Sequence, residues 1–469
     1  MAHDCGICTT RRDMIKMGAA GLTWGMFGLS LPSSIFMREA HGMVPVNPFY
    51  DAAINIFYSG GPSHIDTWDP KPNSPNGKVF PAINVGANDI YNKPIQVSNF
   101  FQPLVDLINK SPTTYGLGIF RSMVHGNGNH QQAEQYMNCF WQSPVQANYP
   151  STASAMAYYY QGQGLGIPAV QISGNNGANS NDNKGSRCPT ALMVQAGQTG
   201  AGNPTVQELS LPAGSDAGDY QRRHDITAAI NQKIQQTRPD LPVKDATAAW
   251  NEAYQITTQG KAAKAFDLTG VTLLPGGPNA NKGEISALTL AQQLILAGIP
   301  YVAVGIGGND THSNNKAGVQ MNWGDITATA LAQLAQNVNA AGKKVLVTMY
   351  GDFGRTPSTT ANGRDGRDHW PDGFSSAVFS IGQPKFKTNA IGDTGPDGMF
   401  QAKNNTLVDP VYPGQLGGFI YQALGFNAGV SPQFDIPTAV RNAPPVDRVM
   451  AQGTGKTDAP QLRAAFGLV

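Results

Sequence analysis

Charge is scarce in this chain of 469 residues: Asp, Glu, Lys and Arg make up 13%, and 32 basic residues nearly balance 31 acidic ones, for a net charge of +1. A protein that grips nucleic acid needs a basic patch to meet phosphates. This composition argues against nucleic acid as a partner. Cysteine is scarce too, with four in all. Cys5 and Cys8 stand close together at the very start, in the shape of a metal knuckle or a redox pair. Cys139 and Cys188 could form one disulfide in an oxidising compartment, although spacing alone does not show that they meet. There is no internal repeat. The one apolar run near the N-terminus, Met17 to Leu31, is short and Gly/Ala-rich for a membrane-spanning helix, which needs about 20 apolar residues. What is abundant is Gly (54) and Pro (33), together with Asn and Gln. Low charge with so many loop-forming residues fits long ordered loops on a packed core, more typical of an exported protein than a cytosolic one.

The same apolar run is preceded by Thr10-Arg11-Arg12-Asp13-Met14-Ile15-Lys16. Paired arginines ahead of a weakly hydrophobic segment resemble a twin-arginine export signal. The expectation is therefore a signal segment over residues 1–40, recognised by the twin-arginine translocation machinery, and a single domain over residues 41–469. The location is periplasmic or extracellular. Arg38 sits where a cleavage site wants a small residue, so an uncleaved inner-membrane anchor stays open. Cys5 and Cys8 fall in the segment expected to be discarded.

The chain is organised around Val345 to Pro371. Val345 to Tyr350 reads as a buried strand that runs into Gly351-Asp352-Phe353-Gly354-Arg355, and a Gly-rich loop then closes on Arg367-Asp368-His369-Trp370-Pro371. Similar strand-to-loop steps occur elsewhere. Ala52 to Tyr58 is a strand ending in Ser59-Gly60-Gly61-Pro62-Ser63-His64-Ile65-Asp66-Thr67-Trp68-Asp69. Tyr301 to Ile306 is a strand ending in Gly307-Gly308-Asn309-Asp310-Thr311-His312. Helical patterns at Ile285 to Ala297 and Ile326 to Ala341 alternate with these strands, as in parallel crossover units. Strands are also expected at Gly118 to Met123, Pro168 to Ile172 and Ser375 to Ile381. Helices are expected at Phe101 to Ile108, Gln131 to Trp141, Ser151 to Gln161, through much of Asp216 to Ala265, and at Tyr412 to Leu424. Residues 73–98 read as turn-rich, 174–205 as a Gly/Asn-rich surface insertion, and the tail from Ala428 as Pro-rich and irregular.

The strand-end loops collect Asp66 and Asp69, Asp310 and His312, and Asp352 and His369. Carboxylates and imidazoles gathered from distant segments suit one or two divalent cations with mixed N/O ligands: zinc first, with manganese or iron as alternatives. His130 is placed at a helix start, where free N–H groups favour an anion.

Taken in order, GGPSHIDTWDPKP, Arg121-Ser122-Met123 with its following histidine, NDTHSNN, GDFGRTP and GRDHWP resemble an exported bacterial family known as the domain of unknown function 1501. The resemblance spans roughly residues 52 to 427. The family is grouped with the alkaline-phosphatase and sulfatase superfamily. That implies an α/β fold, a doubly wound, mostly parallel sheet flanked by helices, with one or two metals at the strand ends. By this resemblance Asp310, His312 and His369 supply one metal site. Asp66 and Asp352 begin a second, which lacks a histidine because Phe353 stands where the superfamily has one; His64, His125 or His130 could substitute. Members typically carry Glu where this chain has Asp352. No sulfatase-type Cys/Ser-x-Pro-x-Arg motif is present. Ser63, Thr67 and Ser122 are nucleophile candidates by position, with Ser63 and His130 assigned catalytic roles. Arg355 is expected to hold an anionic oxygen of the substrate through its planar fork.

Two functions follow as expectations. One is an exported metal-dependent hydrolase of phosphate or sulfate esters, acting on a small anionic ester or a sulfated or phosphorylated glycan. The other is a non-catalytic metal-bearing binding or scaffold protein on the same fold. The oligomeric state is left open.

Overall fold

The apolar run Ala52–Tyr58 is strand β1, and all seven of its residues are buried. A strand with no water-facing side needs cover on both faces, the situation of parallel sheets. In the computed structural model, which describes residues 47–77, 79–140, 151–160, 167–173, 192–195, 216–237, 261–359, 365–426 and 459–469, that cover is present. The remaining strands are β2 (Ala82–Asn88), β3 (Pro94–Ser98), β4 (Tyr115–Met123), β5 (Ala169–Ser173), β6 (Leu192–Gln195), β7 (Tyr301–Ile306), β8 (Val345–Gly351), β9 (Gly354–Arg355), β10 (His369–Trp370), β11 (Phe374–Ile381) and β12 (Asn389–Ile391). Seven of these form one eight-stranded sheet with β1, in the order β12-β4-β11-β8-β1-β7-β5-β6. Every pairing in it is parallel except the two made by β11, which runs against β4 and β8.

The helices are α1 (Gln102–Lys110), α2 (His130–Cys139), α3 (Thr152–Tyr159), α4 (Ala217–Thr237), α5 (Lys261–Phe266), α6 (Lys282–Leu296), α7 (Asn315–Val319), α8 (Thr329–Ala340), α9 (Pro413–Ala423) and α10 (Ala459–Ala465). Alternation along β1 sorts the two faces. Ala53 and Phe57 join a core with Phe140, Met156, Tyr350 and Phe419, the face covered by α2, α3, α9 and α10. Ile54, Ile56 and Tyr58 point the other way. There Tyr58 stacks on Trp323 at 3.8 Å between ring centroids, and α6 and α8 pack against the sheet and each other. The result is a mixed α/β architecture with a mostly parallel central sheet flanked by helices.

The chain divides into two compact units. Among the described residues, α4 belongs to one, and its Ile226 and Ile230 are exposed. The other unit contains the sheet. The boundary expected near residue 40 and Cys188 lie outside the described residues, while Cys139 is buried. No helix among the described residues is long and apolar enough to cross a membrane.

Three expectations need correction. Residues 73–98, read as turn-rich, also hold two strands: β2 and β3 pair as an antiparallel hairpin. The 174–205 stretch contains β6, which pairs with β5; its short apolar core, Leu192-Met193-Val194, is swamped by polar neighbours in sequence. The tail is not irregular throughout, because α10 brings Leu462, Phe466 and Leu468 into the core.

Topology positions the site. The connection from β7 crosses β1 to reach β8, so the loops leaving β7 and β8 emerge on either side of the β1 end. In open parallel sheets such a crossing point leaves a crevice at the carboxyl ends of the strands. β4 runs in the same direction, so its following segment reaches that edge as well.

Candidate metal centre

The turn after β1 is the floor of the crevice. Gly60 has φ +107°, and a Cβ there would lie 2.2 Å from the Asp310 amide nitrogen. Only glycine tolerates both the conformation and the approach. The β7 loop is thereby drawn close to β1, and Asn309 stitches it down through contacts to the carbonyls of Ser59, Ile306 and Gly307.

Four side chains converge above this floor. His130 comes from the first turn of α2, Asp310 and His312 from the loop after β7, and His369 from β10. The Asp310 Oδ1 atom lies 3.4 Å from His130 Nε2, 3.1 Å from His312 Nε2 and 3.7 Å from His369 Nε2. His312 and His369 Nε2 are 3.0 Å apart. Ligand atoms of His130, Asp310 and His369 all fall within 4.8 Å of one another.

The second nitrogen of each ring settles its tautomer. His130 Nδ1 meets the Asp352 carboxylate, His312 Nδ1 meets Asp368 Oδ1 at 2.9 Å, and His369 Nδ1 meets the Gly128 carbonyl at 2.7 Å. Those oxygens accept, so each Nδ1 carries a proton, and in the neutral ring each Nε2 turns a lone pair inward. His130 Nε2 is buried with no hydrogen-bond partner. Facing lone pairs repel unless a cation lies between them. A tetrahedral zinc with bonds of about 2.0–2.1 Å spaces its ligand atoms by roughly 3.3 Å, close to the separations seen here. The donor set therefore fits a divalent cation, and an oxygen acceptor behind each imidazole is the usual support for a histidine ligand.

Electrostatics favour the ligating forms of Asp310 and His369, while His130 must give up a proton to bind. Partial burial pushes the Asp310 carboxyl up, but the hydrogen bond and charge of Arg355, with His130 and His312, hold it below its ordinary value. For His369 burial, then the positive charge of its neighbours, lowers the pKa and favours the neutral ring. For His130 burial works downward, but the hydrogen bond and charge of Asp352 prevail and raise it. Asp310 and His312 face solvent, with side-chain exposures of 52% and 46%, so the centre is open on one side.

The sequence-derived candidates divide into groups. Asp310, His312 and His369 come together, joined by His130. Asp352 touches the centre through His130 rather than as a direct donor: fully buried, it takes His130 Nδ1 on one oxygen and the Gly60 N–H on the other at 3.2 Å. Phe353 forms an apolar wall, with ring centroids 4.7 Å from His130 and 4.6 Å from His369. Arg355 does not present a free fork. It is fully buried and donates to the carbonyls of Gly60, Gly61 and Arg367 and to Asp310, which places it as a clamp under the ligand loop.

Asp66 and Ser63 belong to a separate buried network. Arg367 approaches both oxygens of Asp66, at 2.8 and 3.2 Å, and Ser63 Oγ donates to Asp66 at 2.7 Å. A second metal on Asp66 and Asp352 is thus not what this arrangement offers: Arg367 engages the first carboxylate, and His130 and Gly60 engage the second. Thr67 and Ser122 are also buried and donate to backbone carbonyls. No hydroxyl is hydrogen-bonded to the four clustered side chains among the described residues. Asp69 pairs with Lys71 and Arg121, and Trp68 stacks on Phe101 in the core. His64 donates to the Gly398 carbonyl, and burial pulls its pKa down to about 4. His125 Nε2 donates to the Asp352 carbonyl at 2.5 Å.

A family model described as "Protein of unknown function (DUF1501)" matches residues 50–382, well over half of the chain. The chain belongs to that family. The matched region contains all four clustered residues and the oxygens behind them. No curated protein matches this chain. Solved structures similar to it include the C-terminal periplasmic domain of EcEptC from Escherichia coli in complex with Zn, at 8% identity and a TM-score of 0.38, covering 82% of this chain and 87% of that one. Another is a second crystal structure of that domain, at 9% identity and a TM-score of 0.34, covering 82% and 86%. Likenesses of that size carry no argument about this chain.

Two contributors escaped the sequence reading. Asp368, which holds His312, and Arg367, which holds Asp66, both lie inside GRDHWP; the signal was their place directly before His369.

Proposed function

We propose that this family member is an exported metal-dependent hydrolase of phosphate or sulfate esters, with His130, Asp310, His312 and His369 holding one divalent cation, zinc being the best match. The observation that carries the metal is the inward turn of three imidazole lone pairs onto one carboxylate oxygen, each ring fixed from behind by an acceptor. A bound cation of this kind supplies Lewis-acid polarisation of an ester oxygen. The chain's own residues do the rest. Asp352 and Asp368 fix two rings, Arg355 holds Asp310 in place, and Phe353 keeps water from the inner side of His130 and His369. The open side at Asp310 and His312 admits a substrate. An alkaline-phosphatase-like fold and twin-arginine export remain parts of this proposal; the placement of the ligands at strand ends supports the first and the Arg11-Arg12 segment the second.

A second reading, a metal-bearing binding or scaffold protein, is favoured by the hydroxyls. Ser63, Thr67 and Ser122 are all buried and already committed. The test is elemental analysis of protein purified without chelator, beside His312→Ala and His369→Ala, followed by a panel of phosphate and sulfate esters. Near-stoichiometric metal lost in both variants, with turnover lost alongside, supports the hydrolase. Metal without turnover selects the binding protein. No metal in the unsubstituted protein overturns both.

A further inference from the structure

We infer that the buried Asp66–Arg367 ion pair is a positioning device for the metal centre, setting the loop of Asp310 and His312 against the loop of Asp368 and His369. The inference rests on the metal reading above.

Asp66 is 1% exposed and Arg367 is fully buried. Desolvating two charges is costly, and apolar residues of similar volume often serve stability as well or better. The pair's distinctive contribution is geometry. Arg367 reaches Asp66 with two nitrogens, and its remaining donors go to the carbonyls of Asn76, Thr356 and Pro357. Its side chain is therefore held on every nitrogen. Its backbone N–H donates at 2.9 Å to the carbonyl of Thr311, the residue between Asp310 and His312. The residues that follow Arg367 are Asp368, which fixes His312, and His369 itself.

The tie is made again from the opposite side. Asn315 Nδ2 donates to Asp66 at 2.8 Å, and its Oδ1 accepts from Thr311 Oγ1 at 2.7 Å. The Asn315 N–H donates to the Asp365 carbonyl at 2.7 Å. Between these ties the loops touch backbone to backbone: a Cβ on Gly366 would lie 1.9 Å from the His312 carbonyl oxygen. The spacing of His312 and His369 is thus set by a contact with no room for a side chain, locked by the ion pair behind it.

The test uses the full chain, stripped with chelator and titrated with cobalt(II) alone. Affinity and visible absorption bands are read together with the thermal midpoint of the metal-free protein. Asp66→Asn and Arg367→Lys are expected to bind about 10–100-fold more weakly, the range for loss of an outer-shell support, with altered bands in the folded protein. A merely structural role lowers the midpoint but leaves affinity and bands as in the unsubstituted protein, and that result overturns the inference. His312→Ala, run in parallel, separates the two levels. If it binds cobalt like the unsubstituted protein, or if neither binds, the metal reading itself fails. If the ion-pair variants do not fold, Gly366→Ala spreads the same loops without touching the pair. It is expected to weaken binding over the same range, and full affinity in it overturns the inference.

Discussion

His312 and His369 face each other Nε2 to Nε2 at 3.0 Å, while their Nδ1 protons are given to Asp368 and to the Gly128 carbonyl. Neither inner nitrogen has a proton for the other. A metal ion relieves the conflict; in its absence a proton must. Metal uptake is therefore expected to release protons, and affinity should fall with pH. The raised pKa of His130 moves the onset above the ordinary histidine value of 6.5. A competition titration at pH 8, 7 and 6 checks this, and a flat profile counts against histidine ligation.

The sign for the metal-free protein is the reverse. A histidine whose folded pKa is raised contributes stability that is fully present below its unfolded value and lost as pH rises through the folded one. For the Asp352–His130 pair that window opens near pH 6.5 and extends upward. Asp352→Asn removes the charge behind His130 but keeps an acceptor oxygen. Its metal affinity should drop by about 10–100-fold. Asp368→Asn should cost less, because Asp368 is 63% exposed and water can replace it. Isothermal titration of both variants checks the order; equal effects would mean that burial of the supporting oxygen is unimportant.

Arg355→Lys keeps the charge but loses the planar fork that joins Gly60, Gly61, Arg367 and Asp310. Arginine and lysine are not equivalent at such a site. Leaving several buried carbonyls short of a donor should lower stability by about 2–4 kcal/mol, at roughly 1–3 kcal/mol for each unsatisfied group. Urea denaturation of the metal-loaded protein measures it. A change below about 0.5 kcal/mol, the scale of an ordinary surface substitution, would show that the clamp is redundant.

Glu284 sits buried in the first turn of α6, with Oε2 lacking a hydrogen-bond partner. Burial pushes its pKa up to about 7 despite a hydrogen bond from Gly307. An acid whose folded pKa is raised binds its proton more tightly when folded, so stability falls as pH rises from the ordinary value of 4.5 through about 7 and stays low above it. Glu284→Gln removes that loss. Relative to the unsubstituted protein it should gain on the order of 3 kcal/mol between pH 4.5 and pH 8. Denaturation at both pH values reads the gain, and a pH-independent difference would place the charge elsewhere.

Much of the fold was legible because its central strands are covered on both faces. β1, β7 and β8 read as short, largely apolar runs with glycine at or just past their ends, and their boundaries emerge close to those expected. The β2–β3 hairpin was not legible, since half-exposed residues such as those of AINVGAN carry little apolar signal. Nor was the π-helical stretch Gln320–Ala328 before α8. Its Trp323 is wedged between Tyr58 and Trp68, contacts that come from distant parts of the chain.

The sequence by itself determined which residue types stand at the strand ends: glycines where backbone must approach backbone, and Asp and His in the loops that follow. Those are local properties of strand period and turn chemistry. Only the tertiary structure decided which of them share a centre. Asp66 and Asp352 look alike in sequence, each a carboxylate just beyond a buried strand. The fold sets one against Arg367 and the other behind His130. A carboxylate's role depends on the charge that packs against it, and here each partner arrives from more than 200 residues away along the chain.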